Sequence, residues 1–359
     1  DATLIKTASG KKFARDATDW QWWHASVPTA LRRLYDQGYL IAIVSNQSGI
    51  SLKSNSSKAP KADLKRLSDF KAKATAILAQ LDLSISIYAA TAKDEFRKPR
   101  PGMWRQLLHD NGLEDAPGAV DLEQSLFVGD AAGRSGGTTK DFSCSDRDFA
   151  ANIGIPFHTP EEYFLGEEPK PFVRDFDPAK SHQSARLVPL LFTKKNPVDI
   201  VILCGSPGSG KSTFYWKHLK PLDYERINQD ILKTRDKCLK VAAEHLEKGV
   251  PVVIDNTNAD PETRAHWVRL AEKHNVPIRC VLFTATAKLC EHNAAVRALK
   301  FAQTLNPESR AMLPRMAFTS FASRYRVPQL KEGLQDITKV DFMFEGSEED
   351  RKVWSQYWI

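Results

Sequence analysis

The sequence predicts an α/β protein built from two doubly wound parallel-sheet domains. The chain has 359 residues, which is too long for one ordinary domain and long enough for two. Strand-sized apolar runs alternate with helical patterns in each half, as they do in parallel sheets covered by helices. A proline- and charge-rich stretch interrupts this alternation near the middle, as interdomain connections do. We expect domains over residues 1–165 and 196–359, joined by a linker over residues 166–195.

In the first half, β-branched apolar runs predict three buried strands. These runs are Leu40–Val44, Ile85–Ala89 and Ser125–Val128. Apolar residues recur with a spacing near 3.6 before the first of these runs and again between the first and the second. This spacing predicts helices over Pro28–Gly38 and Ala62–Leu81, respectively. The order of strand, helix and strand predicts a parallel sheet.

The second half repeats the alternation with more strongly apolar strands. Strands are predicted over Val198–Leu203, Val250–Ile254 and Ile278–Phe283. A helix is predicted to begin at Lys211, and a long amphipathic helix to cover Leu232–Lys248. No internal repeat or low-complexity tract occurs in the sequence.

Composition restricts the environment and the partners. The chain carries 51 Lys+Arg against 44 Asp+Glu, a net charge of +7, which weakly favours an anionic partner. Its five cysteines are far apart and form no C-x-x-C, so we expect free thiols in a reducing intracellular compartment. The apolar runs are strand-sized, well short of the ~20 residues of a membrane helix, so we expect no membrane partner.

The strongest motif is a phosphate-binding loop directly after the predicted strand Val198–Leu203. Residues 205–212 (GSPGSGKS) fit the pattern G-x-x-x-x-G-K-[ST] between a strand and a helix. Its glycines let backbone N–H groups surround nucleotide phosphates, while Lys211 reaches the β/γ-phosphates and the Ser212 hydroxyl ligates Mg²⁺. We expect ATP to bind at Gly205, Ser206, Pro207, Gly208, Ser209, Gly210, Lys211, Ser212 and Thr213.

A carboxylate follows the next apolar stretch, in Ile227-Asn-Gln-Asp230. Two interpretations of Asp230 stay open. It is either a base that takes the proton from an acceptor hydroxyl, or the N-cap of a helix that begins at Ile231. Lys233, one helical turn later, is expected to hold an anionic group of the acceptor.

A strand-end cluster, Asp255-Asn-Thr257-Asn258, adds candidate acceptor ligands. Polar residues at the carboxyl ends of parallel strands point into the ligand crevice, so we expect Asp255, Thr257 and Asn258 to bind acceptor. The alternative is a turn and N-cap sequence ahead of the helix that begins at Pro261. The strand end lacks an acidic pair, which favours a kinase over a mechanical ATPase.

A helical segment near residue 290 carries a candidate lid cation. Arg297 could stabilise charge on the transferring phosphoryl group, or lie on a solvated helix face. His292, on the same segment, is interpreted as structural.

Four segments of the first domain carry polar residues at the start of the chain, at two strand ends and ahead of a helix. They are Asp1-Ala-Thr-Leu-Ile5, Val44-Ser-Asn-Gln47, Arg97-Lys-Pro99 and Phe127-Val-Gly-Asp130. In this order they resemble the motifs of the haloacid dehalogenase phosphatase superfamily. The resemblance implies Asp1 as acid/base, and it places the aspartate nucleophile of a phosphoaspartate mechanism two residues before Asp1, with a strand preceding it. It implies Lys98 as a further catalytic residue, phosphate binding by Thr3, Ser45, Asn46 and Arg134, and a Mg²⁺ site at Asp1 and Asp130, with Asp141 and Asp146 in support.

The combination resembles the bifunctional polynucleotide 3'-phosphatase/5'-kinase family across nearly the whole chain. Further matching segments are Arg97-Lys-Pro-Arg-Pro-Gly-Met-Trp104, Val128-Gly-Asp-Ala-Ala-Gly-Arg134, Lys140-Asp-Phe-Ser-Cys-Ser-Asp-Arg147 and His292-Asn293. The resemblance is to the shorter fungal form, without the forkhead-associated domain of animal relatives. It implies a haloacid dehalogenase-like phosphatase domain followed by a P-loop kinase domain, using Mg²⁺ and ATP. It further implies a monomer in the nucleus that acts on DNA with 3'-phosphate or 5'-hydroxyl ends.

Two rival functions and two surface features complete the sequence-based picture. The rivals are a small-molecule kinase fused to a metabolite phosphatase, and a phosphate-binding scaffold with an inactive phosphatase; RNA stays open as a second substrate. The basic segment Lys53–Lys73 is interpreted either as a track for a phosphate backbone or as a solvated helix face. Trp20, Trp22 and Trp23 either stack on bases or belong to a core.

Overall fold

The chain forms two compact units. A computed structural model describes residues 1–50, 61–116, 118–136, 140–183, 192–299 and 310–359. Unit 1 consists of Asp1–Asp175 together with Tyr357–Ile359, and unit 2 of Phe176–Gln356. The linker segment, residues 166–195, is thus divided between the two units.

Unit 1 places short strands in three pairs among its described residues. The first pair is antiparallel and the other two are parallel. In order, the pairs are β1 (Ile5–Lys6) with β2 (Gln21–Trp22), β3 (Ala42–Asn46) with β4 (Ser86–Ala90), and β5 (Phe127–Val128) with β6 (Phe157–His158). The helices are α1 (Ser26–Asp36), α2 (Lys61–Leu81), α3 (Gly102–Asp110), α4 (Ser145–Ile153) and α5 (Pro160–Leu165).

One hydrophobic cluster holds the first two helices of unit 1 together. Val27 and Leu31 of α1 pack with Ile77 and Leu81 of α2. The three tryptophans near the start of the chain pack against this cluster, so the structure supports their interpretation as core residues. In the basic segment, residues 53–60 lie outside the described part of the chain, and residues 61–73 belong to α2.

Unit 2 is built on one parallel sheet in the order β11-β10-β7-β9-β8. Its three central strands are buried along their whole length, which explains their continuous apolar runs. The strands are β7 (Ile200–Cys204), β8 (Glu225–Ile227), β9 (Val252–Ile254), β10 (Ile278–Phe283) and β11 (Ile337–Val340). The helices are α6 (Pro178–Gln183), α7 (Lys211–Phe214), α8 (Gln229–Leu232), α9 (Arg235–Glu247), α10 (Pro261–Lys273), α11 (Ala287–Leu299), α12 (Arg315–Arg324) and α13 (Glu348–Trp354).

The α/β fold class is confirmed, but two predicted helices are wrong in detail. The single helix predicted from Leu232 is divided, because Lys233 adopts a left-handed φ of 72° and Thr234 caps α9 by accepting from the Lys237 N–H. The helix that begins at Lys211 is α-helical only to Phe214 and continues as a π-helical turn over Tyr215–Leu219. None of the helices in the described ranges has the length and apolar character needed to span a bilayer.

Residues 357–359 are anchored in unit 1 through an amide clamp that the sequence did not predict. The Asn152 side-chain NH₂ donates to the carbonyls of Pro99 and Tyr357, and its oxygen accepts from the Tyr357 N–H, each at 2.8 Å. The Arg100 Nε donates to the Trp358 carbonyl at 3.0 Å, and the Trp358 side chain is buried. These bonds connect residues 357–358 to the segment around Lys98.

We expect Asn152→Ala to loosen the segment 97–102 without affecting unit 2. The substitution removes three hydrogen bonds and leaves the Tyr357 N–H and two carbonyls without these partners, at a cost of about 1–3 kcal/mol. Hydrogen exchange should accelerate at the amides of Arg100 and Gly102 and stay unchanged in β7 and β10. Faster exchange in both units, or in neither, would contradict this assignment of residues 357–359.

Candidate active sites

In unit 1, Lys98 is the centre of a buried group of polar contacts. Its Nζ lies 2.8 Å from the Asp146 carboxylate and donates to the Val44 carbonyl at 2.9 Å. The ammonium also lies 5.1 Å from the centre of the Phe127 ring. Both charged side chains are more than nine-tenths buried, so each needs the other. The contacts bring β3 and β5 to the same lysine.

Asn46 holds the backbone on which Lys98 is mounted. The Asn46 amide donates to the Lys98 carbonyl at 3.1 Å and accepts from the Lys98 N–H at 2.9 Å. Next to it, Ser45 accepts a hydrogen bond from the Gln47 amide at 2.9 Å. The described contacts thus give Asn46 a positioning task, and phosphate binding by Ser45 and Asn46 stays a prediction.

Asp130 lies beside this group, two residues after β5. Its carboxylate accepts a hydrogen bond from the Thr3 hydroxyl at 2.8 Å. Burial, and then the nearby Asp146 carboxylate, raise the pKa of Asp130 above its ordinary value. Asp146 is fixed in turn by the Ala131 N–H at 3.1 Å. A Cβ at Gly129 would lie 2.5 Å from an Asp146 oxygen, so only glycine permits this approach.

Arg134 and Asp1 lie at the margin of the same group. The Arg134 guanidinium contacts both oxygens of Asp141 at 2.9 and 3.1 Å and Glu161 at 2.6 Å, and it donates to the Asp130 carbonyl at 3.2 Å. These bonds commit it to holding the loop after β5. The Asp1 side chain is largely exposed, with an oxygen 3.9 Å from the Lys73 Nζ. Phosphate binding by Arg134 and acid/base catalysis by Asp1 stay predictions.

In unit 2, the loop after β7 has the geometry of a phosphate cradle. The Lys211 Nζ donates to the carbonyls of Gly205 and Ser206 at 2.9 and 2.7 Å. Burial lowers the pKa of Lys211 to about 8. Gly208 has a φ of 80°, and a Cβ there would lie 2.2 Å from the Cys290 carbonyl oxygen. Phosphate oxygens are better partners for Lys211 than the carbonyls that hold it here.

Beside the loop, the Asp255 carboxylate binds both the Ser212 hydroxyl and the Arg226 guanidinium. The Ser212 hydroxyl donates to the Asp255 carboxylate at 2.9 Å, and Arg226 contacts the same oxygen through Nε at 2.7 Å and Nη2 at 2.5 Å. The Arg310 Nη2 also donates to the Ser212 hydroxyl oxygen at 3.1 Å. Asp255 therefore lies on the side of the predicted Mg²⁺ ligand Ser212, and its prediction as an acceptor ligand stays untested.

The structure contradicts one of the two interpretations of Asp230 and leaves its role as a base a prediction. Asn228, not Asp230, caps α8, because its side-chain oxygen accepts from the N–H groups of Asp230 and Ile231 at 2.9 and 3.2 Å. Asp230 lies in the first turn and is exposed, so the capping interpretation of Asp230 is wrong. The Lys233 Nζ donates to the Asp230 carbonyl at 2.7 Å, which places the predicted base and the predicted acceptor-binding lysine on one turn.

The end of β9 is more structural than its polar sequence indicates. Asn258 is almost fully buried, and its amide donates to the carbonyls of Leu203 and Ile254 at 2.8 and 3.3 Å. Thr257 accepts the Gly205 N–H through its backbone carbonyl at 3.1 Å. Asp260 caps α10 through the Thr263 N–H at 2.7 Å. The turn-and-cap alternative therefore describes part of this segment, and Asn258 joins the ends of β7 and β9 from within the core.

Helix α11 contacts the phosphate-binding loop through Asn293. The Asn293 amide donates to the Gly208 carbonyl at 3.2 Å. Its neighbour His292 is fully buried, donates from Nε2 to the Trp354 carbonyl at 2.8 Å and packs on the Trp354 and Phe176 rings. The structural interpretation of His292 is confirmed. Arg297 is half-buried in the last turn of this helix, and its lid role stays a prediction.

Sequence reasoning missed two arginines of the second site. Arg226 had a detectable signal, because a charged residue in a strand between the buried Tyr224 and Ile227 needs a buried partner. Arg310 had no comparable signal, since it is far from the loop in sequence and reaches Ser212 only in the folded chain.

Comparisons with known proteins match each unit to a family model and the whole chain to a bifunctional relative. Residues 1–164 match the family described as "Polynucleotide kinase 3 phosphatase", and residues 200–328 match one described as "AAA domain". The chain is 41% identical over 361 residues to the bifunctional polynucleotide phosphatase/kinase of Schizosaccharomyces pombe, covering 100% of this chain and 81% of that protein. The chain belongs to the bifunctional polynucleotide phosphatase/kinase family.

The resemblance inferred from the motifs is thereby confirmed. A polynucleotide 3'-phosphatase of Arabidopsis thaliana is 34% identical over 178 residues, which cover 48% of this chain and 24% of that protein. The residues that match the phosphatase family lie in unit 1, and the phosphate-binding loop lies in unit 2.

We expect Asn258→Ala to act on stability rather than on one substrate. The change removes two buried hydrogen bonds and puts alanine at a φ of 44°, so the free energy of unfolding of unit 2 should fall by about 1–3 kcal/mol. Urea titration monitored by circular dichroism measures this. Asn258→Gly is the matched variant, because it relieves the backbone strain but not the lost bonds. A rise in acceptor KM at unchanged stability would instead support the acceptor prediction.

The buried His292 predicts a pH-dependent loss of stability in unit 2. Burial lowers its pKa to about 4, whereas the unfolded imidazole has the ordinary value of about 6.5. The unfolded state therefore gains the proton first, and stability falls as the pH drops from about 6.5 to 4, by up to about 3 kcal/mol. His292→Gln should flatten this part of the pH profile of urea unfolding. An equally steep decline in the variant would show that other groups cause it.

Proposed function

We propose that this chain heals DNA ends by removing 3'-phosphates and by transferring the γ-phosphate of ATP to 5'-hydroxyls. The observation that carries the proposal is that a chain of this family brings together two groups of side chains suited to binding phosphate. One is the Lys98, Asp146 and Asp130 group of unit 1. The other is the loop of unit 2 with Lys211 and Ser212.

In the phosphatase reaction, Lys98 and Ser45 would bind the phosphate oxygens. The Lys98 ammonium is already desolvated, so its attraction to a phosphate is stronger than that of an exposed lysine. The phosphoaspartate route needs a carboxylate nucleophile, which the resemblance puts two residues before Asp1. Asp1 would protonate the leaving 3'-oxygen and then accept a proton from the water that releases phosphate.

The residues of both sites fit a bound Mg²⁺. Oxygen ligands suit this ion, and Asp130 and Asp1 supply carboxylates in unit 1. Burial, and then the neighbouring Asp146 carboxylate, raise the pKa of Asp130, and a cation bound beside it would lower that pKa again. In unit 2 the Ser212 hydroxyl lies 2.9 Å from Asp255. When bound, Mg²⁺ would offset the charge of the phosphoryl oxygens. No group of three or more His, Cys, Asp or Glu side chains that could hold a metal ion occurs among the described residues, so phosphate and water oxygens would complete the coordination of the Mg²⁺.

In the kinase reaction, Asp230 would remove the proton from the 5'-hydroxyl. Its carboxylate is exposed, while Asn228 fixes the backbone beneath it. Lys211 would exchange its two carbonyl partners for the β/γ-phosphates. Lys233, beside Asp230, would attract the phosphate backbone of the acceptor, and Arg297 would contribute lid charge.

The substrate and cellular setting follow from the family. The related proteins carry names that specify polynucleotides, so we propose a DNA end as substrate in preference to a small metabolite. We further propose that the protein acts in the nucleus, where such ends are repaired.

We expect Asp230→Ala and Asp130→Ala to separate the two activities. On an oligonucleotide with a 5'-hydroxyl and a 3'-phosphate, with ATP and Mg²⁺, loss of a general base should lower kinase kcat by roughly 10²–10⁴-fold in the first variant. Asp130→Ala should abolish 3'-phosphate removal and leave the kinase intact. Both products are resolved on one denaturing gel.

Asp236→Ala, which changes another exposed carboxylate close by in unit 2, is the matched control and should leave both activities unchanged. If either active-site variant retained both activities, the assignment of its residue would be lost. A nucleoside or sugar phosphorylated as well as the oligonucleotide would instead favour a small-molecule kinase.

A further inference from the structure

Trp216 is the most exposed aromatic side chain among the described residues of unit 2. It lies in the π-helical turn after α7, and 49% of its area is accessible. Its neighbour Tyr215 is buried in the core beneath it. Unit 2 exposes other single apolar side chains, such as Ile231 and Leu330, as protein surfaces ordinarily do. Trp216 differs from them in presenting a flat aromatic face.

A short series of contacts connects this indole to the phosphate loop. The Arg226 guanidinium carbon lies 5.6 Å from the centre of the Trp216 ring system and 5.5 Å from that of Tyr215. Arg226 also contacts Asp255, which accepts the Ser212 hydroxyl. The Arg226 guanidinium thus lies between the exposed ring and the Asp255–Ser212 pair beside the predicted phosphate site.

The same strand leads to the proposed base. Arg226 belongs to β8, and Asp230 follows three residues after that strand ends. A 5'-terminal nucleotide whose hydroxyl reaches Asp230 and the γ-phosphate carries its base only one sugar away. We therefore expect the base of the terminal or the next nucleotide to lie near Arg226 and the Trp216 ring that contacts it.

We propose that Trp216 is a stacking platform for a nucleobase at the 5' end of the acceptor strand. The ligand class is an unpaired base, read by its flat apolar face rather than by its hydrogen-bonding edge. The cation–π contact with Arg226 holds the indole in place before the substrate arrives, which reduces the ordering that binding requires. The inference rests on the proposed kinase activity and adds an acceptor subsite to it.

The alternative is that Trp216 only holds Arg226 against Asp255. That task would affect the phosphate site itself and would not depend on the base in the substrate. The two possibilities therefore separate when the ring and the base are removed in turn, in a double-mutant cycle.

The experiment combines Trp216→Ala and Trp216→Phe with two 5'-hydroxyl oligonucleotides that end in a 3'-hydroxyl. One is intact, and the other is abasic at its two 5'-terminal positions. With the intact strand, Trp216→Ala should raise the oligonucleotide KM roughly 5- to 100-fold and change the KM for ATP and kcat by no more than about twofold. Trp216→Phe, which keeps an aromatic ring, should restore most of the lost affinity for the oligonucleotide. With the abasic strand, wild type and Trp216→Ala should have similar KM values.

Leu330→Ala is the matched control, because it removes another exposed apolar side chain of unit 2 (59% accessible) and should change neither KM. An equal penalty for Trp216→Ala on intact and abasic strands, or a loss confined to kcat or ATP binding, would overturn the proposal. Fluorescence anisotropy of the labelled strands without ATP measures the Kd of each protein and strand in the same cycle. If wild type phosphorylated no oligonucleotide, the kinase proposal would fail, and the binding cycle would still decide whether Trp216 stacks on a base.

Discussion

Each unit contains a buried ion pair that joins segments in or next to its parallel strands. Lys98 pairs with Asp146 in unit 1, and Arg226 pairs with Asp255 in unit 2, all four side chains being more than nine-tenths buried. A buried charge without its partner costs about 3–5 kcal/mol, so each pair strongly restricts the surrounding backbone. In both pairs the carboxylate has a further partner in the site, the Ala131 N–H in one and the Ser212 hydroxyl in the other. Each ion pair therefore also restricts the backbone of the segment that would bind phosphate.

Asparagine amides transmit these restrictions between loops. An amide has both a donor and an acceptor, so one side chain can satisfy two backbone groups on different segments. Asn46 uses both groups on the Lys98 backbone and Asn152 uses both on residues 99 and 357, whereas Asn258 joins the ends of β7 and β9 through its NH₂ group alone. Asn228 likewise fixes the turn that carries Asp230. Rigid backbone beneath an exposed reactive side chain is what precise positioning requires.

The sequence predicted the strands and the phosphate loop well because their signals are local. A strand buried on both faces needs an unbroken apolar run, and β10 has the bounds expected for it. The loop needs glycines at positions with positive φ, as at Gly208 and Gly210. The break at Lys233 was missed because helical periodicity continues across it, and only the Thr234 cap shows where α9 begins.

By itself, the sequence determined the α/β class, the order of the two phosphate-binding motifs and, through its resemblance, the family. These follow from patterns within a few residues or from matching segments. Only the tertiary structure decided which polar residues belong to a site and which support it: Asn258 is buried as a brace, Arg226 and Arg310 reach Ser212 or its partner, and residues 357–359 return to unit 1. The physical reason is that a side chain's task depends on its burial and its partners. Partners that are distant in the sequence are brought together only by the folded chain.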